Sequence, residues 1–258
     1  MAQAVHARLD AQFDVGRAPA ADHARAPAAA TVGDIRLTIH GDLAALEQDW
    51  RAFERHADGT VFQTFAWLST WQRTIGARSG VTPAIVAGRD NAGTLLFLIP
   101  LSTRMAGIAR ELSWLGADLC DYNAPLLAPG VSERLDRANF LALWDAITQR
   151  LRCDLINLTK MPEMVGAQPN PMRHPGGTVN PSGAYLTHLA GDWDAFYAAK
   201  RSSSTRRRDR TKRKKLAELG AVKLVNLQGA AETLRTLDTL MAQKSRSFAR
   251  MGVANLFA

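Results

Sequence analysis

Cysteine is nearly missing from this chain: Cys120 and Cys153 are the only two in 258 residues, and they form no CxxC or other metal spacing. A multi-bridge disulfide framework is thereby excluded, and a reducing, cytoplasmic location is expected. Long apolar runs are missing too. The longest, 94–101, falls far short of the roughly 20 residues that cross a bilayer, so no membrane span is expected. Histidine is sparse, and His56, His174 and His188 stand apart with no partner at ligand spacing, which argues against a metal site. The first 30 residues lack the continuous apolar core of a secretory signal. They mix Ala, Arg and Pro with acids and read as a disordered tail.

What the sequence has in excess is positive charge, gathered in one place. Residues 200–215 hold ten Lys or Arg and one acid, Asp209. The whole chain has 32 Lys plus Arg against 24 Asp plus Glu, so without this run the balance is 22 to 23 and the net charge −1. No apolar residue lies between Arg201 and Lys215, so a helix here has nothing to bury beyond its side-chain stems. Ser202, Ser203, Ser204 and Thr205 offer N-cap hydroxyls. Asp209 is placed to pair with Arg213 one turn on, whereas Arg206 and Arg210, and Arg210 and Lys214, are like-charged neighbours. A bound anion relieves that repulsion, which makes Arg206, Arg207, Arg208, Arg210 and Lys214 the candidate anion-binding residues. A solvated helix with no ligand is the competing reading. As a function for the chain, a nucleic-acid or anionic-polymer module on 200–215 is the alternative. It is disfavoured because no aromatic is interleaved for base stacking and the remaining chain is slightly acidic. A non-catalytic scaffold subunit is a third reading.

Periodicity supplies the elements. Ile35, Leu37 and Ile39 alternate as in a half-buried strand. Leu43, Leu46, Trp50 and Phe53 then recur at helical spacing after Gly41 and Asp42, and Phe65, Leu68, Trp71 and Ile75 mark a second helix over 64–75. Strands are expected at 82–88 and 94–101, joined as a hairpin, with the second apolar on both faces and therefore central. A third strand, 111–115, follows a turn at 104–110. A polar loop opens at Gly116, a helix covers 132–151 with Leu135, Ala138, Leu141, Trp144, Ile147 and Leu151 inward, and a strand at 154–160 closes the unit. Strand, two helices, three consecutive strands, helix, strand argues for an α/β (α+β) fold with a mixed, largely antiparallel sheet and flanking helices. Four Pro and four Gly between 163 and 184 mark a long loop, read as a connector with a functional lid as the competing reading. A short strand at 185–189, a helix capped by Asp192, a strand at 221–227 and a helix over 231–251 complete the reading. The last carries a stripe of Leu234, Leu237, Met241, Phe248 and Met251 that needs a partner surface.

Four segments in order, 60–76, 95–104, 112–127 and 204–220, resemble the CelD/BcsL-type acetyltransferases of cellulose and exopolysaccharide biosynthesis, members of the GNAT superfamily. This group is similar to the Fem-type peptidyl transferases in having two tandem GNAT-like halves. The resemblance implies a tail at 1–30, a first GNAT-like domain at 31–190, and at 191–258 a basic connector with the start of a second, acyl-CoA-binding half. Family members continue further, so an incomplete chain is expected, either a truncated product or a gene fragment, and the sequence leaves its activity open. The implied activity is transfer of an acyl group from acetyl-CoA or another acyl-CoA to an amine or hydroxyl of a sugar or cell-envelope precursor, with cell-envelope biosynthesis proteins as partners and without a metal. Asp121 and Tyr122 match the family's Asp-Tyr signature, and with Asn123 they are the candidate substrate-binding residues; bracing of the loop is the competing role. Catalytic residues are not assigned. RMAGIA, 104–109, matches the superfamily's pyrophosphate-loop pattern, but a strand and not a helix follows it, so it is rejected as a cofactor site.

Overall fold

The computed structural model describes residues 28–255, apart from 118, 181–182, 184–186 and 190. The chain forms two units, 1–183 and 184–258. The tail at 1–27 lies outside the described residues. Ordered structure nevertheless begins earlier than expected, since Ala28–Val32 is a strand, β1.

The first unit is built on β1, β2 (Ile35–His40), β3 (Thr82–Arg89), β4 (Leu95–Ala106), β5 (Ala109–Trp114), β6 (Leu126–Leu127) and β7 (Leu155–Asn157). They form one sheet in the order β1-β2-β3-β4-β5-β7, with β6 also paired to β4. Every pair is antiparallel except β5 with β7. That pair is parallel because the chain crosses one face of the sheet between them as α3 (Arg137–Leu151). The other face is covered by α1 (Glu47–Phe53) and α2 (Phe65–Trp71). The result is the mixed α/β, mainly antiparallel architecture read from the sequence, and it is compatible with a GNAT-like fold.

Two apolar layers hold the sheet between its helices. On one face Leu37, Val86, Phe97, Ile99, Leu101 and Trp114 pack against Phe140, Leu143, Trp144, Ile147 and Leu151 of α3. On the other, Ile85, Ala87, Leu98 and Leu115 meet Leu43, Leu46, Trp50, Phe53, Phe65 and Leu68. Each fully buried Leu, Ile or Phe contributes about 1.5–3 kcal/mol. β4 supplies both layers, which explains its apolar character on either side. Opposite it, a Cβ on Gly88 would lie 2.2 Å from the Phe97 ring, so any larger residue there must displace that ring.

Several boundaries differ from expectation for identifiable reasons. The turn after β4 is only Gly107 and Ile108, because both strands extend toward it, and RMAGIA is indeed a hairpin tip. α3 begins at Arg137, not at 132, since the Asp136 carboxylate accepts from the Asn139 amide at 2.8 Å and caps the helix. Its buried face includes Phe140 and Leu143, while Ala138 is exposed and Leu141 half-buried. Ile75 is exposed in a π-helical turn, 72–76, and does not join the core. Part of the supposed connector is folded into the unit as the hairpin β8 (Met164–Val165) and β9 (Gln168–Pro169). Val165 and Met172 are buried there, and the Gln168 amide donates to Asp58 Oδ2 and the Ala128 carbonyl.

The second unit contains α4 (Trp193–Lys200), α5 (Ser203–Leu219) and α6 (Ala230–Met251). Asp192 and Ser202 cap the first two as expected. The strand expected at 221–227 does not form: those residues are irregular and exposed, and among the described residues of this unit no strand exists to pair with them. Part of the 185–189 strand lies outside the described residues, and 187–189 are irregular. The apolar stripe on α6 is largely open, with Leu234 and Met251 exposed.

Candidate functional site

β5 and β6 lie end to end along the same edge of β4. Trp114 is opposite Leu101, Leu126 opposite Leu98, and Leu127 opposite Phe97. Between them the chain leaves the sheet as the loop 116–125, which carries all three candidate substrate residues. Pro100 sits at the break. A proline inside a central strand ordinarily loses a ladder hydrogen bond; here the partner strand is leaving, and the Pro100 carbonyl takes its last bond, from the Leu115 amide at 2.9 Å. The strand therefore opens without orphaning a donor on Pro100. Gly116, at φ +78°, turns the chain outward, with Leu68 and the Cys120 sulfur close behind it.

The loop is fastened from two distant points. On one side the Gln63 amide donates to the Tyr122 carbonyl at 2.7 Å, while Gln63 Oε1 accepts from the Thr60 amide and hydroxyl in a capping box. On the other, Lys160 Nζ donates to the Cys120 carbonyl at 2.9 Å and the Ala117 carbonyl at 3.3 Å. The Lys160 carbonyl in turn accepts from the Asn123 amide, and Lys160 adopts φ +57°, a left-handed conformation uncommon for a lysine.

The three candidates thus have different places. Asn123 is buried and its side-chain amide donates to the Thr159 carbonyl at 3.1 Å, so it braces the loop. The Tyr122 ring is half-buried 6.4 Å from Phe62, which packs edge-on to the partly exposed Trp67. Asp121 is exposed, and its carboxylate takes no hydrogen bond from any described residue. Beside them Cys120 is buried, and burial pushes its thiol above the ordinary range, which favours the thiol over the reactive thiolate. Among the described residues no group of His, Cys, Asp and Glu gathers at metal-binding distance.

In the second unit, helical spacing divides the candidate anion-binding residues. Arg206, Arg210 and Lys214 follow one another at four-residue steps in one row. Arg207 and Arg208 belong to the adjoining face, where Ser204, Thr211, Lys212 and Lys215 complete a shallow, open depression. Lys212 and Lys215 were not among the sequence candidates, although their spacing from Arg208 marks them. Asp209 does not pair with Arg213. Its carboxylate accepts from the Tyr197 hydroxyl at 2.5 Å, joining α5 to α4, and that bond lowers the carboxyl's pKa and raises the phenol's. Trp193 stacks on Tyr197 on the same helix, with centroids 5.6 Å apart. The Nε of Arg206 is buried without a partner.

No family model matches this chain, and no curated protein matches it. Among solved structures, a crystal structure of an acetyltransferase from Trypanosoma brucei is similar over 60% of this chain and 100% of that one, at 12% identity and a TM-score of 0.32. A likeness that slight carries no argument about function.

Proposed function

We propose that this protein is a GNAT-type acyltransferase that moves an acyl group from acyl-CoA to an amine or hydroxyl of a sugar or cell-envelope precursor. In this reading, of the CelD/BcsL type, the first unit presents the acceptor and the acyl-CoA site belongs to the second half. The observation that carries it is the 116–125 loop, extruded where β5 gives way to β6 in a sheet covered by helices on both faces, with Asp121 free at its surface.

Electrostatics at the helix ends supports the division of labour. A CoA pyrophosphate favours a helix N-terminus with open amides. In the first unit the protein's own carboxylates already occupy those positions: Asp136 caps α3, Glu54 Oε2 accepts from the first amide of α2 at 2.7 Å, and Glu47 and Asp49 lie in the first turn of α1. In the second unit α5 starts with the Ser202 hydroxyl and has no acid in its first turn. The small-anion role falls to the Arg206, Arg210 and Lys214 row, whose like charges at four-residue steps a bound anion would relieve. Asp121 is assigned to orient the acceptor and receive its proton, a role that requires a carboxylate within hydrogen-bond reach of the nucleophile.

The test is release of the free CoA thiol from acetyl-CoA with amino sugars and simple amines as acceptors, beside calorimetric titration with CoA. Asp121→Asn should lower kcat/KM for the acceptor by about 10- to 100-fold while CoA binding is unchanged. Absence of both turnover and CoA binding overturns the reading.

A further inference from the structure

Charge is unevenly divided along the chain. Residues 184–258 carry 15 Lys and Arg against 6 Asp and Glu, a net +9, whereas 1–183 carry 17 against 18, a net −1. On α5 the cationic face does not stay cationic. Arg208, Lys212, Lys215 and Leu219 follow at steps of four, three and four residues, so the row of charges runs directly into an aliphatic side chain that is 86% exposed. In the segment that follows Gly220, Val222, Leu224 and Val225 are likewise exposed, Leu224 by 99%. The one acid within the basic run, Asp209, is held by Tyr197 and does not lie in that row.

We propose that this face of α5, together with the exposed segment 221–225 that follows it in the chain, binds the surface of an anionic lipid bilayer. Each Lys or Arg near such a surface strengthens binding by about fivefold, and the attraction fades within a Debye length of the headgroups. Aliphatic side chains at the end of the same face then enter the headgroup and acyl boundary, as the apolar side of an interfacial helix does. Trp193, more than half exposed in the same unit, has the amphipathic ring that favours this interface. A nucleic acid would use the charges, but it has no use for exposed Leu219, Val222, Leu224 and Val225, and the basic row offers no aromatic for stacking. Among the described residues no helix is long and apolar enough to cross a membrane.

Co-sedimentation of the whole chain with phosphatidylcholine vesicles, with and without about a third phosphatidylglycerol, tests the proposal. Binding is expected to the anionic vesicles alone and to weaken with salt. Arg208→Glu with Lys212→Glu should lower it by at least about 25-fold. Leu219→Ser with Leu224→Ser should lower vesicle binding by roughly tenfold and leave binding to heparin unchanged, with circular dichroism confirming intact helices. Failure to bind anionic vesicles overturns the proposal, as does binding that ignores the leucine pair. Duplex DNA bound as tightly as the vesicles, and equally by the leucine variant, would assign the surface to nucleic acid instead.

Discussion

Glu111 is a charged residue inside the sheet. It is 3% exposed on β5, accepts from Asn157 Nδ2 at 2.9 Å and from Arg104 Nε at 2.7 Å, and these bonds, Asn157 first, hold its carboxyl below its ordinary 4.5. A carboxyl lowered on folding adds stability that is fully present above its unfolded pKa and disappears as pH falls through the folded value. Between neutral pH and about pH 3, Glu111→Gln should therefore lose less stability than the wild type, read from urea midpoints at the two pH values. Gly88 makes a steric counterpart. Because the Phe97 ring fills the place of its missing side chain, Gly88→Ala forces the ring aside and should cost about 1–3 kcal/mol by urea unfolding at neutral pH. An unchanged midpoint would mean that the ring moves freely.

At the level of elements, the 116–125 loop is only as rigid as its two anchors. Lys160→Met removes the ammonium that binds the Cys120 and Ala117 carbonyls but keeps the length of the stem. Amide exchange at Cys120 and Asn123, whose amides donate to the Gly116 and Lys160 carbonyls, should quicken by about tenfold or more, while exchange in β3 and β4 stays as it was. The loop was legible in the sequence and its anchors were not. The turn at Gly116 and the polar residues after Trp114 are local signals, whereas Gln63 lies 59 residues before Tyr122 and Lys160 lies 40 after Cys120. Only the Thr60-x-x-Gln63 spacing gave a local hint, as a capping box. The strands β2 to β5 were readable for a similar reason, since alternation or a continuous apolar run is set by burial of neighbouring residues. β6, β8 and β9 have two residues each, too short for any period. At 221–227 the pattern suits a strand, but pairing needs a second strand and the unit has none among its described residues. The α3 boundary moved because Leu135 continues the apolar spacing while Asp136 ends the turn before it.

On the scale of the whole molecule, the order of pairing has a kinetic side. β3, β4 and β5 join consecutive neighbours through short turns, so their contacts close small loops. β7 pairs with β5 only after the loop, β6 and the whole of α3 have been traversed, and it does so at the open margin of the sheet with Leu155 and Ile156 exposed. Pairing across so long an interval is slow to form. Until it forms, β5 keeps a bare row of amides and carbonyls that a second chain is free to join. The parallel strand is thus expected to close last in the first unit, and aggregation during refolding is expected to compete with its closing.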